Sequence, residues 1–468
     1  MIAALVLAAS FHTNFEAGSL GKVERVSPTH FRCAVEGEAD QDHRNRQASW
    51  YYFRLDHAAG REVTIDLVDL EGEYDYRAGA YSITKATRPV YSYDQKTWSH
   101  FRDQEVLWDE QSASLRLRFT PGRDRVWIAH VAPYTTADLA RLLRTLRGNP
   151  YLQEAVIGKT VGGRGLLLLT VTNPATSEAH KKVVWLMARQ HAWEAVTSWA
   201  AEGAIRFLLS SDPRAARLRD EIIFKIFPMA DPDGVVRGGV RFNAHGYDLN
   251  RNWDAVNPSL MPEIAAQRKA VLDWVDAGRR IDLFLTLHNT EDTEFLEGPL
   301  AAGGAQVQEL AERFSRLLTK TTSFNPTRPP DDSSPKLETP KPGRMTVDQG
   351  LFHDRNVPAF LMEQMVNFNS KLGHPPTVED RLEFGAGLAR AMCAAVTRPW
   401  RHRKQRCSAN LFCRSAVHPQ LAKNRGPERQ VRATHSKNVA EEQSPMSKEV
   451  AAQAGVPCRR EPPVYGDP

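Results

Sequence analysis

Apolar positions along the chain follow two rhythms. From about residue 11 to 132 they alternate with polar ones or gather in short β-branched and aromatic runs. Examples are Ser49-Trp50-Tyr51-Tyr52-Phe53-Arg54-Leu55, Val63-Thr64-Ile65-Asp66-Leu67, Ser114-Leu115-Arg116-Leu117-Arg118-Phe119 and Arg125-Val126-Trp127-Ile128-Ala129-His130. Gly, Pro, Asp and Asn clusters separate them, and this spacing predicts an antiparallel β-sandwich. From about 150 to 398 the rhythm changes. Buried-strand runs at Leu166–Thr172, Val183–Met187, Ile222–Phe227, Ile281–Leu287 and Pro358–Met362 alternate with helical periodicity at 195–209, 261–276, 305–319 and 378–396. Such alternation predicts an α/β domain with a mostly parallel or mixed sheet flanked by helices. Between the two, Pro133-Tyr134-Thr135-Thr136 precedes a helix from Ala137 to Leu146, with Thr135 or Thr136 as its N-cap. The expected division is a sandwich at 11–132, a junction helix within 133–149, and a larger α/β domain at 150–398.

Residues 321–344 are rich in Pro, Asp, Ser and Thr and predict a long surface loop. Beyond residue 399 periodicity disappears, and a basic disordered tail is expected. That tail changes the meaning of the net charge of +5. From Arg401 onward 13 Lys/Arg face 6 Asp/Glu, which leaves −2 for the rest, so no nucleic-acid partner is expected. No stretch has the roughly 20 apolar residues of a membrane span. Residues 1–10 read as the remnant of a signal peptide, favouring a secreted or periplasmic protein. They lack a preceding Lys or Arg, and a first strand in a cytoplasmic protein is the alternative. Five cysteines without a Cys-x-x-Cys pair indicate neither a disulfide framework nor a thiolate metal site.

Candidate chemistry gathers where apolar strands end. The run Val183–Met187 stops at Arg189-Gln190-His191, and Glu194 follows as a helix begins. His191 and Glu194 are three apart, which on a helical turn places both on one face. The strand Ile281–Leu287 ends on His288, which supplies a third ligand type. Two imidazoles and one carboxylate with an open fourth position suit a catalytic zinc. Asp248-Leu249-Asn250-Arg251 offers an amide beside a guanidinium, a pairing that suits a carboxylate. Pro358–Met362 ends on Glu363, a candidate general base. These positions fall at the carboxyl ends of strands, where open α/β sheets bind ligands.

Taken in order, these motifs resemble the M14 zinc carboxypeptidases, cytosolic-carboxypeptidase-like subfamily, from about Phe11 to Arg398. The resemblance rests on Phe15–Leu20, Trp50–Phe53, Pro133-Tyr134-Thr135 with Asp138-Leu139, His191-x-x-Glu194 with Ser198-Trp199, Pro232–Val235, Arg241 and Asp248–Arg251. It implies one zinc ion held by His191, Glu194 and His288, with Glu363 shuttling the proton. It further implies Arg241 at the oxyanion and Asn250 and Arg251 on the substrate's terminal carboxylate. The substrate would be a peptide or protein C-terminus. Arg344, at the end of the long loop, would give a preference for acidic residues. Departures are His-Ala-Trp-Glu for the subfamily's His-Pro-Gly-Glu, Asp-Pro-Asp-Gly for Asn-Pro-Asp-Gly, and Asn289-Thr290-Glu291 after the third ligand. No tyrosine lies between Tyr247 and Tyr465, where many M14 enzymes carry one. Two alternatives stay open: a zinc amidohydrolase of the aspartoacylase kind acting on N-acyl amino acids, and a non-catalytic peptide-binding member of the fold.

Overall fold

The run at Val183–Met187 lies at the centre of an eight-stranded mixed sheet. A computed structural model describes residues 8–74, 76–333 and 343–397. The expected loop segment 334–342, the tail beyond 398 and the first seven residues lie outside them.

Twelve strands come first: β1 Ser10–His12, β2 Val23–Ser27, β3 His30–Ala34, β4 Tyr52–Asp56, β5 Val63–Val68, β6 Glu71–Tyr74, β7 Arg77–Tyr81, β8 Val90–Ser92, β9 Ser99–His100, β10 Val106–Asp109, β11 Ser114–Phe119 and β12 Arg125–Ala129. They form two five-stranded sheets, β1-β4-β12-β8-β9 and β10-β11-β5-β3-β2, plus the separate hairpin β6–β7. Alternation builds the core between the sheets: Leu115, Leu117 and Phe119 point in, with Phe31, Ile65, Phe53 and Ile128, while Arg116 turns outward to Asp66 at 2.6 Å. Strand β4 is buried on both faces. Phe53 and Leu55 face the sandwich core, and Tyr52 belongs with Trp127, Tyr134 and Trp199 in a second core shared with the following α/β region. The unbroken aromatic run Trp50–Phe53 has this two-sided burial as its cause.

The second part contains α1 Thr136–Leu146, β13 Leu152–Lys159, β14 Gly165–Val171, β15 Lys182–Ala188, α2 Ala195–Leu208, α3 Pro213–Glu221, β16 Ile222–Phe227, α4 Pro232–Arg237, α5 Pro262–Asp276, β17 Leu283–Thr290, β18 Phe295–Gly298, α6 Leu300–Thr321, β19 Asp331–Asp332, α7 Val347–Arg355, β20 Ala359–Met365 and α8 Val378–Thr397. The sheet order is β13-β14-β16-β15-β17-β20-β18-β19. Strands β16, β15, β17 and β20 are parallel, and antiparallel pairs lie on either side. Val184 and Leu186 face one core, Val183, Trp185 and Met187 the other. Burial on both faces explains the continuous apolar runs. On one face α2 and α8 cross so closely that a Cβ on Gly203 would lie 2.1 Å from the Leu382 carbonyl oxygen. No helix among the described residues is long and apolar enough to cross a membrane.

The predicted helices and strands of the second part are all present, with ends moved by a few residues. Periodicity missed the edge strand β13, the short strands β18 and β19, the latter inside the expected loop 321–344, the short α3 and α7, and α4. Asp231-Pro232-Asp233-Gly234 reads as a turn, yet it opens α4: Asp231 Oδ1 caps the Gly234 N–H at 2.9 Å and Pro232 brings a helical φ. The helix ends at Gly238 in the left-handed region (φ 71°).

Burial pushes the Asp231 carboxyl up to about 7. Between its unfolded value and 7 the folded state therefore holds the extra proton, and stability from this group falls as pH rises through that window. Above it the cost of the buried charge is complete. Asp231→Asn keeps the capping oxygen and removes that charge. Its Tm gain should be several degrees at pH 8 and near zero at pH 4, and equal gains at both would refute the assignment.

Candidate active site

The turn after β15 sets the site. Arg189 takes a left-handed conformation (φ 64°), and its buried side chain holds the turn from within: Nε donates to the Ala192 carbonyl at 2.7 Å and Nη1 to Ser198 Oγ at 3.3 Å. His191 and Glu194 lie in this turn, and α2 starts one residue later. The turn, closed by the Glu194 N–H on the His191 carbonyl at 3.2 Å, brings them together in place of the expected helical face. The strand ends also move. β17 runs on to Thr290 and β20 to Met365, so His288 and Glu363 sit inside strands as direct parallel partners. Register then puts both side chains on the same side of the sheet.

His191, Glu194 and His288 converge, with one ligand atom from each within 4.8 Å of the others. His191 Nδ1 lies 2.7 Å from Glu194 Oε1 and 3.3 Å from His288 Nδ1. Glu194 Oε2 is 3.1 Å from His288 Nδ1, yet it is buried without a partner of hydrogen-bond geometry. Two ring nitrogens facing each other and an orphaned carboxylate oxygen fit a cation between them better than hydrogen bonds among themselves. The outer nitrogens are tied back. His191 Nε2 meets Asp248 Oδ1 at 3.0 Å, and His288 Nε2 meets Gln190 Oε1 at 3.0 Å. Such outer partners orient the inner nitrogens of metal-binding histidines. The donor set suits zinc. Burial opposes a charge on Glu194, but the two imidazoles outweigh it and hold its carboxyl well below the usual range. Burial also lowers His288, which favours the neutral ring that a metal requires.

Arg241 lies beyond α4. Its Nε donates to Asp248 Oδ2 at 2.7 Å, so one carboxylate links His191 to Arg241. Burial works against charge on Arg241, and Asp248 more than compensates. Asn250 Oδ1 accepts from the Val347 N–H at 2.9 Å, which fixes the amide with Nδ2 as its donor. Arg251, Arg241 and Arg344 line a cleft of about 100 Å³. The cleft's other wall comes from the β-sandwich. Tyr74 at the tip of β6 places its hydroxyl 3.5 Å from Arg251 Nη2 and its ring 5.7 Å from the Arg241 guanidinium carbon. Glu363 keeps Oε2 buried and unpartnered, and burial together with Glu194 raises its carboxyl well above the usual range. All eight sequence candidates thus fall in the His–Glu–His group, the Asp248–Arg251 segment, the cleft or the strand beside His288. Sequence reasoning gave no individual role to Asp248, Gln190, Arg189 or Tyr74. Asp248 stood inside a recognised segment, whereas nothing local marks Tyr74, whose place depends on a hairpin about 170 residues away.

Two family models match in tandem. That of the cytosolic carboxypeptidase N-terminal domain covers residues 11–131, and that of zinc carboxypeptidase, peptidase M14, covers 140–296. Cytosolic carboxypeptidase 3 of Mus musculus is 27% identical over 308 residues, 59% of this chain and 29% of that protein. Cytosolic carboxypeptidase 6 of Caenorhabditis elegans is 29% identical over 274 residues, 56% of this chain and 58% of that one. The chain therefore spans less than two thirds of these curated relatives. A metallo-carboxypeptidase from Burkholderia cenocepacia superposes with a TM-score of 0.72 at 25% identity, over 83% of this chain and 99% of that one. A Pseudomonas aeruginosa metallo-carboxypeptidase shares the fold, with a TM-score of 0.69 at 21% identity over 82% and 98% of the two chains. The sandwich thus matches the description of the cytosolic carboxypeptidase N-terminal domain and the α/β region that of zinc carboxypeptidase, and in sequence and fold the chain is similar to the M14 zinc carboxypeptidases, cytosolic carboxypeptidases among them.

Proposed function

We propose that this protein is a zinc-dependent carboxypeptidase that hydrolyses the last peptide bond of peptides or proteins. The observation that carries the reading is the His191–Asp248–Arg241 link, which joins the His–Glu–His group to an arginine-lined cleft. His191, Glu194 and His288 would hold one zinc ion. When bound, the metal supplies Lewis acidity that polarises a carbonyl and lowers the pKa of water. Asn250 and Arg251 hold the substrate's terminal carboxylate, the guanidinium through paired N–H donors. Arg241, its fork oriented by Asp248, donates to the carbonyl oxygen as negative charge develops there. Glu363 takes a proton from the attacking water and passes it to the departing amine. Burial and the nearby Glu194 raise its carboxyl above the usual carboxylate range, which favours keeping the proton it takes until the amine departs.

Arg344 lines the same cleft as Arg241 and Arg251, and this supports a preference for acidic terminal residues. The relatives are named cytosolic carboxypeptidases, which supports the cytoplasmic alternative over secretion. Cys33 and Cys393, both buried and free, agree with a reducing compartment.

The test is release of C-terminal residues from peptides ending in Glu, Asp, Lys, Leu or Phe, with and without a chelator, beside an N-acetylated amino acid. Chelator-sensitive release of one terminal residue is expected. Cleavage of the acetylated amino acid alone would make the protein an amidohydrolase, and zinc binding without turnover would make it a binding module. Arg344→Ala should lower the Glu-over-Leu ratio of kcat/KM by about tenfold or more, a scale set by the loss of a charge-assisted contact. An unchanged ratio would remove Arg344 from specificity.

A further inference from the structure

The loop that carries Arg241 is held by a residue of the other domain. Glu38 lies between β3 and β4, its backbone fixed by paired N–H to carbonyl bonds with Gln47, both 2.8 Å. Its side chain crosses to the segment after α4. There Oε2 accepts three successive backbone N–H groups, from Val240 at 2.9 Å, Arg241 at 2.6 Å and Phe242 at 2.8 Å. Oε1 takes the Arg237 guanidinium. Three consecutive N–H groups on one carboxylate oxygen form an anion-binding nest, here filled by the protein's own side chain. Residues 238–241 belong to no helix or strand, so no sheet or helix ladder fixes their backbone. The approach is also close. A Cβ on Gly238 would lie 2.4 Å from the Gly18 carbonyl oxygen of the sandwich.

From this segment two connections reach the reaction site. Arg241 extends to Asp248 and through it to His191. The Val240 carbonyl accepts the Trp193 N–H at 3.0 Å, in the turn that carries His191 and Glu194. We infer that Glu38 is a positioning residue for the reaction: it sets the backbone from which Arg241 reaches the substrate carbonyl, and so makes the β-sandwich part of the active site. The inference rests on the carboxypeptidase reading given above. A misplacement of about 1 Å in an oriented group costs on the order of 10²-fold in rate. Glu38 acts on Arg241 without touching substrate, so its loss should appear in kcat more than in KM.

The experiment is a double-mutant cycle on the full chain with zinc loaded. Glu38→Ala should lower kcat by about 10- to 100-fold, with KM changed by less than about threefold and bound zinc unchanged. Glu38→Gln keeps one oxygen for the three N–H groups and should recover most of the loss. In an Arg241→Ala background, Glu38→Ala should cost less than about twofold more, because the group it positions is gone. Hydrogen exchange supplies a readout apart from turnover: the amides of 240–242 should lose protection in Glu38→Ala while those of α2 keep theirs. Equal losses of kcat in both backgrounds, or undiminished protection at 240–242, would overturn the inference. Wild-type protein that releases no residue from any peptide would instead remove the carboxypeptidase reading, and this one with it, before any variant is made.

Discussion

Replacing Glu363 by glutamine should reduce kcat for release of a C-terminal residue by about 10²–10⁴-fold, the range for a positioned general acid–base group. Zinc content and peptide affinity should stay as in the wild type. The expectation follows from placement. Glu363 pairs in register with His288 on the adjacent parallel strand, and its Oε2 is buried with no hydrogen-bond partner. Glutamine preserves the shape and cannot carry the proton. The pH profile offers a second check. Burial and the nearby Glu194 hold Glu363 above the usual carboxylate range, so the base is deprotonated only above that range. The acid limb of kcat/KM should therefore lie above the ordinary carboxylate pKa of about 4.3 and disappear in the variant. Turnover within about tenfold of wild type would show that another group moves the proton.

His288→Ala should lose both metal and activity while keeping the fold. His191 Nδ1 and His288 Nδ1 face each other at 3.3 Å, with Glu194 beside both, and removing one ring leaves two donors. Two ligands do not make the closed set that holds zinc firmly at neutral pH. Dialysed wild-type protein should retain about one zinc per chain and the variant far less. Thermal unfolding separates the metal from the fold. Zinc at about a thousand times its Kd should stabilise wild-type protein by about 4 kcal/mol and give the variant almost nothing. The variant's own unfolding should stay cooperative, since β17 keeps its pairing with β15 and β20. Full zinc retention in His288→Ala would remove this residue from the ligand set.

Much of this architecture was legible in the chain because burial writes itself into periodicity. Strands β15, β17 and β20 are covered on both faces, so each reads as an unbroken apolar run. Helix α2 reads from its Ala-rich spacing, and the sandwich from alternation such as that of β11. Where elements are short or at an edge the signal fades. β13 is largely exposed on the sheet's outer edge, and α4 has only six residues. β13 has too few buried side chains to impose a pattern, and α4, although mostly buried, is too short to show a helical period.

The reactive residues divide along the same line. His191, Glu194, His288 and Glu363 stood out because a polar group directly after or within an apolar strand demands a reason, and their residue types suggested it. The sequence alone therefore determined the domain order, the main strands and helices, and which side chains were chemically suited to a metal and a proton. Only the tertiary structure decided how they meet. Parallel register set His288 beside Glu363, the left-handed Arg189 shaped the turn that joins His191 to Glu194, and Asp248 linked His191 to Arg241. Glu38 and Tyr74 belong wholly to this second class. They reach the site from the β-sandwich across separations of about 200 and 170 residues, and no local pattern encodes a contact made by the packing of two domains.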